Sequence, residues 1–95
     1  MRLPDLHDWT LAELRVVIET NRISIGLIGP SQSLELIGTG LISLRLDRRM
    51  PWGPSASINE ARLSREGDTD VLIVELQSGD TLQLRSSEII AQAPR

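Results

Sequence analysis

Runs of alternating apolar and polar residues occupy most of this chain, and a period of two residues predicts β-strands. The first two runs, residues 14–18 and 23–27, keep their apolar side chains on one face if a two-residue turn at Thr20-Asn21 joins them. That register pairs Ile18 with Ile23. The pattern therefore predicts a β-hairpin near the start of the chain.

Two further turn sequences continue this pattern. Gly29-Pro30-Ser31-Gln32 suits a four-residue loop, which pairs Leu27 with Leu34. Gly38-Thr39-Gly40 suits a three-residue hairpin loop, because the glycine in last place can adopt the left-handed conformation that such loops require. All three turns keep the same apolar face buried, so the first half of the chain is predicted to form a four-strand antiparallel meander.

The second half of the chain contains one clear hairpin. A three-residue loop at Gln77-Ser78-Gly79 pairs Val74 with Leu82 and keeps the apolar residues of both strands on one face. The remaining predicted segments are a more polar strand at residues 56–64, a charged turn at 66–70, the hairpin strands at 71–76 and 81–85, and a tail at 87–95 that forms a short edge strand or a helical turn.

These elements predict an all-β fold of about seven antiparallel strands. The four-strand meander is followed by a crossover at Arg48–Ser55 and a further hairpin, arranged as a rolled barrel or a two-layer sandwich. Helix is limited to at most one turn near residues 10–13, where Thr-Leu-Ala-Glu resembles a capping box. We expect residues 1–95 to form a single domain, with residues 1–9 and 91–95 mobile at its ends.

The composition supports a folded domain with an aliphatic core. Hydrophobic residues make up 40% of the chain, which is enough for a core and argues against disorder. Phe and Tyr are absent, so Trp9 and Trp52 are the only aromatic residues that the core could contain. Cysteine is absent as well, which excludes disulfides and thiol nucleophiles and fits the cytoplasm.

The charge of the chain argues against several classes of partner. The formal net charge is −3 and the pI is about 5.0, which disfavours nucleic-acid binding. All 10 basic residues are arginine, which suits either bidentate anion recognition or the codon usage of a GC-rich genome. No apolar run resembles a signal peptide or reaches the roughly 18–20 residues of a membrane span. We therefore expect a soluble protein without a nucleic-acid or membrane partner.

No group of residues predicts catalysis. His7 is the only histidine, and it lies in an N-terminal segment where a general base would not be held in place. The carboxylates within residues 66–70 lack the ligand spacing of a calcium loop and are typical of a solvated turn. Glu35 and Glu75 fall on outward-facing strand positions. The sequence therefore predicts no catalytic, cofactor-binding or metal-binding residue, and no enzyme.

The most distinctive stretch is Arg48–Ser55, which reads Arg-Arg-Met-Pro-Trp-Gly-Pro-Ser. One interpretation makes Arg48, Arg49, Trp52 and Pro54 an interaction surface, because tryptophan and arginine are frequent at interface hot spots. The other makes the stretch a structural crossover, in which Trp52 fills one end of the core and the arginines stay in water. The exposure of Trp52 distinguishes the two interpretations.

Two stretches of the second half resemble a pattern found in short uncharacterised bacterial proteins. Pro51–Asn59 reads Pro-Trp-Gly-Pro-Ser-Ala-Ser-Ile-Asn, and Glu75–Asp80 reads Glu-Leu-Gln-Ser-Gly-Asp. Those proteins are expected to be β-rich. The resemblance therefore implies a β fold and a bacterial origin, and it implies no function and no site residue.

These features predict a cytoplasmic, non-enzymatic protein-interaction module. We expect a homodimer that pairs through the strand at Ala56–Ser64, because a small antiparallel domain leaves edge strands to be covered. An alternative is a small β-barrel that binds an apolar ligand in its interior. A third possibility is anion binding through Arg45, Arg48 and Arg49, which the net charge opposes.

Overall fold

The computed structural model describes residues 2–51 and 53–93, and every regular element within them is a β-strand. The strands are β1 (Thr10–Val17), β2 (Arg22–Ile28), β3 (Ser33–Asp47), β4 (Ile58–Glu66), β5 (Thr69–Leu76) and β6 (Thr81–Gln92). They form one antiparallel sheet in the order β1-β2-β3-β6-β5-β4. The prediction of an all-β, antiparallel fold is confirmed.

The sheet is rolled, so that its two edge strands meet at one end. The Ile58 N–H donates to the Trp9 carbonyl at 2.8 Å, and the Asp8 N–H donates to the Ile58 carbonyl at 2.8 Å. The Leu11 N–H continues this ladder with a 2.8 Å bond to the Ala56 carbonyl. Beyond these bonds β1 and β4 have no strand partner on their outer sides among the residues described.

One apolar cluster fills the inside of the rolled sheet. It combines alternate side chains of the strands with Leu6 and Trp9 from the N-terminal segment, which are 3% and 6% exposed. Each fully buried aliphatic side chain stabilises the fold by about 1.5–3 kcal/mol relative to an exposed one. The predicted mobility of residues 1–9 stays a prediction, but the burial of these two side chains argues against it. Other buried members are Ile23, Ile25, Leu27, Leu36, Ile58, Leu72, Val74, Leu76, Leu82, Leu84 and Ile89.

The register predicted for the first hairpin is wrong by two residues. Ile23 pairs with Val16 instead of Ile18, because residues 18–21 form a four-residue connection. Asn21 adopts a φ of 53° and donates its N–H to the Ile18 carbonyl at 3.1 Å. A shift of two residues keeps every apolar side chain on the same face, so the alternating pattern did not distinguish the two registers.

The hairpin predicted at residues 38–40 is also wrong. The chain continues through this stretch as one strand, β3, so the described residues form six strands where about seven were predicted. Gly40 adopts a φ of 63°, and the register between β3 and β6 shifts between Leu41 and Ser43. A glycine in the left-handed region serves a β-bulge as well as a hairpin loop, and here β6 extends to Gln92 and pairs along both halves of β3.

The charged turn predicted at residues 66–70 is shorter than expected, because Glu66 pairs with Thr69. Two other turns agree with the predictions. Leu27 pairs with Leu34 across the second loop, and Val74 pairs with Leu82 across the last hairpin. The segment predicted as a crossover, Arg48–Ser55, leads from β3 to β4 past β6 and β5. It joins two parts of one sheet, and the predicted rolled barrel or two-layer sandwich is roughly consistent with this arrangement.

Candidate interaction surfaces

The crossover is held by one of its own arginines. Arg48 Nη1 donates to the Ser55 carbonyl at 2.9 Å, and Arg48 Nε lies 3.8 Å from Asp80 Oδ2. The same side chain therefore connects the two ends of the crossover with the loop between β5 and β6. Only 38% of the Arg48 side chain is exposed, which gives it a structural role in this conformation.

Asp80 is the carboxylate on which this connection depends. The residue is 2% exposed, although it lies in the loop between β5 and β6. Its Oδ2 accepts a hydrogen bond from Ser78 Oγ at 2.9 Å, and its Oδ1 accepts one from the Met50 N–H at 3.4 Å. Asp80 thereby fixes the start of the crossover against the hairpin that precedes β6.

Of the predicted interaction residues that the structure describes, Arg48 and Arg49 contact different parts of the chain. Arg49 is 79% exposed, and its Nη2 lies 3.5 Å from Asp47 Oδ1, so it contacts a different carboxylate from Arg48. Pro54 is exposed. Trp52 lies outside the residues described, and its role as plug or contact stays a prediction.

The arginines considered for anion binding all contact carboxylates. Arg45 Nε lies 3.0 Å from Asp47 Oδ2, the residue that also pairs with Arg49. Together with the contact between Arg48 and Asp80, these pairs offset the positive charge of this region. The arrangement argues against anion binding here.

The outer edge of β1 is the most apolar of the free edges. Val16 and Val17 are 38% and 40% exposed, and Ile18, which follows the strand, is 81% exposed. Glu13 and Arg15 precede them on the face that points away from the core, with Arg15 Nη2 3.6 Å from Glu13 Oε1. Sequence reasoning missed this edge, because the alternation placed Val16 and Ile18 on the buried face of the hairpin.

The outer edge of β4, predicted as the interface, is more strongly protected. The N-terminal segment covers its first residues, since Ile58 bonds to Trp9 and the Asn59 carbonyl contacts His7. Beyond them Arg62 Nε lies 3.9 Å from Glu60 Oε1. Charged side chains along an edge are a common protection against strand pairing.

Two side chains occupy the free edge of β6. β5 begins at Thr69, so residues 87–92 of β6 pair only with β3. Asp70 Oδ2 accepts from the Ile89 N–H at 2.8 Å, and Arg65 Nη1 lies 2.8 Å from Asp70 Oδ1. Burial opposes ionisation of Asp70, but the bond from Ile89 and the contact with Arg65 outweigh it and lower the pKa of Asp70.

His7 lies where the two edges of the sheet meet. Its Nδ1 is 2.8 Å from the Asn59 carbonyl, and its Nε2 is 3.6 Å from Asp8 Oδ1. The contact with the Asn59 carbonyl and the nearby Asp8 carboxylate raise the pKa of His7 above its ordinary value of 6.5, against a smaller effect of desolvation. The ring is exposed, and it links the N-terminal segment to β4.

We predict that the hydrogen bonds between the N-terminal segment and β4 are more stable at low pH than at high pH. Because the pKa of His7 is higher in the folded state, its stabilisation is complete below pH 6.5 and is lost as the pH rises through the folded value. The Asp8 N–H, which bonds to Ile58, should show a larger hydrogen-exchange protection factor at about pH 5.5 than at about pH 8. The variant His7→Gln should lose this difference, and an unchanged difference in that variant would exclude His7 as its source.

The described residues hold no group of three His, Cys, Asp or Glu side chains that could bind a metal ion. The part of the chain that the structure describes contains no helix that is long and apolar enough to cross a membrane.

Comparison with known proteins shows the fold and nothing finer. Neither a protein-family model nor a curated protein sequence matches the chain. Its structure is similar to the crystal structure of an uncharacterised protein from Neisseria gonorrhoeae, with a TM-score of 0.74, 12% sequence identity and coverage of 93% of each chain. At this identity the likeness concerns the path of the backbone alone, and the chain shares with that protein a small all-β architecture.

Proposed function

We propose that this domain is a non-enzymatic protein-interaction module that forms a homodimer by pairing the outer edges of two β1 strands. The observation that carries the proposal is an edge that has no strand partner beyond Leu11 among the described residues and that ends in exposed apolar residues at positions 16–18. Unpaired strand edges readily add a further strand. An edge with exposed aliphatic side chains also gains from burial on pairing.

The charges on β1 are self-complementary in one register. In an antiparallel pair centred on Leu14, Glu13 faces Arg15 of the second copy, and Arg15 faces Glu13 of the second copy. Opposite charges directly across a strand pair contribute about 0.2–1 kcal/mol each relative to neutral pairs. The twofold symmetry supplies this contact twice and closes the assembly at two copies.

Two apolar contacts support the same register. Leu14 meets its own copy on the axis, and Val16 lies opposite the small side chain of Ala12. Leu14 is half-buried in the isolated domain and already packs against the core, so pairing would extend the apolar cluster across the axis. β4 carries a similar Glu-x-Arg sequence but lacks the exposed valines, which is why we assign the interface to β1.

The proposal places the protein in the bacterial cytoplasm, without a nucleic-acid or membrane partner. The support for this is compositional: the chain has no cysteine and a net charge of −3.

Charge reversal tests the dimer and its register together. Glu13→Arg and Arg15→Glu each place like charges opposite each other twice, so each variant should dimerise at least about tenfold more weakly than the wild type. A mixture of the two variants restores both opposite-charge pairs and should form a heterodimer. Light scattering coupled to size-exclusion chromatography measures the mass, and mass spectrometry identifies the mixed species.

Arg62→Glu is the matched control, because it makes the same change in the Glu-x-Arg sequence of β4. It should dimerise like the wild type. A wild-type monomer at high concentration would refute the homodimer, and a monomeric Arg62→Glu variant would move the interface to β4. Failure of the two β1 variants to pair with each other would refute the register.

A further inference from the structure

A groove crosses the outer face of the sheet above Gly26. Ile25 and Leu27 point into the core, so position 26 faces outward. The groove has a volume of about 370 Å³. Its walls are Glu13 and Arg15 on one side and Glu35 on the other, and Ile28 lies at one end.

The register of three strands explains the shape and charge of this groove. Gly26 pairs with Glu13 on β1 and with Glu35 on β3, so two carboxylates flank a position that has no side chain. Neighbouring strands lie about 4.8 Å apart, which leaves a gap between the two acidic side chains wide enough for one further side chain. Glu13 is balanced by Arg15 at 3.6 Å. Glu35 is half-buried and makes no hydrogen bond or ion pair with any described residue.

The fold does not require glycine at position 26. Its φ lies outside the left-handed region, and a Cβ there would meet no atom closer than the Glu13 Cβ at 3.6 Å, an ordinary contact. By contrast, a Cβ at Gly29 or Gly38 would lie within 2.8 Å of buried side chains. Glycine weakens the interior of a strand, and it is typical of places where another group approaches the backbone closely.

We propose that the Gly26 groove binds an arginine side chain of a partner protein. The aliphatic stem lies over Gly26 and against Ile28, which is 51% exposed, and the guanidinium contacts Glu35 and, across the groove, Glu13. Arginine fits because its planar head presents five donors to two carboxylates while its stem covers apolar surface. The groove is complete within one copy, so the proposal does not depend on the homodimer. In the dimer Glu13 also faces Arg15 of the second copy, and Glu35 remains the unmatched charge.

Nuclear magnetic resonance with the full chain and N-acetyl-arginine amide as the probe tests this site. The backbone amides of Gly26 and Glu35 should shift on titration. Gly26→Val fills the groove with a side chain suited to strands and should abolish these shifts without lowering the melting temperature. Glu35→Gln should weaken binding about three- to fivefold, as expected for an exposed ion pair.

Glu60→Gln is the control, because Glu60 is an exposed strand carboxylate outside the groove, and binding should not change. N-acetyl-citrulline amide, which has the same shape without the charge, should bind more weakly than the arginine probe. Equal binding of the two probes, unchanged binding by Gly26→Val, or equal effects of Glu35→Gln and Glu60→Gln would each overturn the proposal. If Gly26→Val does not fold, the comparison of the two glutamine variants decides.

Discussion

Replacing Trp9 with alanine is expected to lower the free energy of unfolding by about 3–5 kcal/mol. Trp9 is the bulkiest side chain in the described core, and alanine keeps the backbone carbonyl that accepts the Ile58 N–H, so the expected loss comes from packing. Small domains are stable by only about 5–15 kcal/mol, so this loss is a large share of the total. Urea unfolding followed by circular dichroism measures the change.

The substitution Gly29→Ala tests the packing of the Trp9 ring against the backbone of Gly29. A Cβ at this position would lie 2.6 Å from the Trp9 ring, so Gly29→Ala should cost about 1–3 kcal/mol in the wild type. In the Trp9→Ala background the ring is gone, and the same substitution should cost little. Equal costs in both backgrounds would show that the ring does not lie on Gly29.

Replacing Asp80 with alanine is expected to lower the free energy of unfolding by about 2–3 kcal/mol. The substitution removes the acceptor of the Ser78 hydroxyl and of the Met50 N–H in a site that is largely closed to water. It also removes the carboxylate beside Arg48. Because the Arg48 side chain is partly exposed, this ion pair contributes little to the free energy of unfolding. Chemical unfolding measures the loss, and hydrogen exchange at the Met50 N–H should accelerate.

Asp47 provides the matched control for Asp80. It contacts two arginines, Arg45 and Arg49, but its side chain is 30% exposed, so Asp47→Ala should change stability by less than about 0.5–1 kcal/mol. Asp80→Asn retains one acceptor oxygen and should fall between the two alanine variants. If Asp47→Ala lowers the free energy of unfolding as much as Asp80→Ala does, the buried carboxylate of Asp80 does not hold the crossover in place.

The predicted turns differed in accuracy. The pairings predicted across the loops at residues 29–32 and 77–79 were correct. The connection at 18–21 allowed two registers that keep the apolar residues on one face, and the wrong one was chosen. At 38–40 a hairpin and a bulge have the same local signal, and only the partner strand β6 shows which one forms.

The candidate surfaces were less accessible to sequence reasoning than the fold. Composition drew attention to Arg48–Ser55, but nothing local shows that Arg48 turns back to Ser55 and Asp80. In the sequence Asp80 is an ordinary loop residue. It is buried because Arg48 and Met50 of the crossover lie against it. Glu35 was expected only on an outward-facing strand position. Its place across Gly26 from Glu13 depends on the register of two different strand pairs.

The sequence by itself determined that the chain is all-β and antiparallel and which face of most strands is buried, because an alternation of period two carries that information locally. Only the tertiary structure decided which residues lie opposite each other and which edges remain free. Registers that differ by two residues bury the same side chains, so the local pattern does not separate them. The contact of Trp9 with Ile58, the burial of Asp80 and the row of Glu13, Gly26 and Glu35 all join residues on different elements, so the local pattern does not show them.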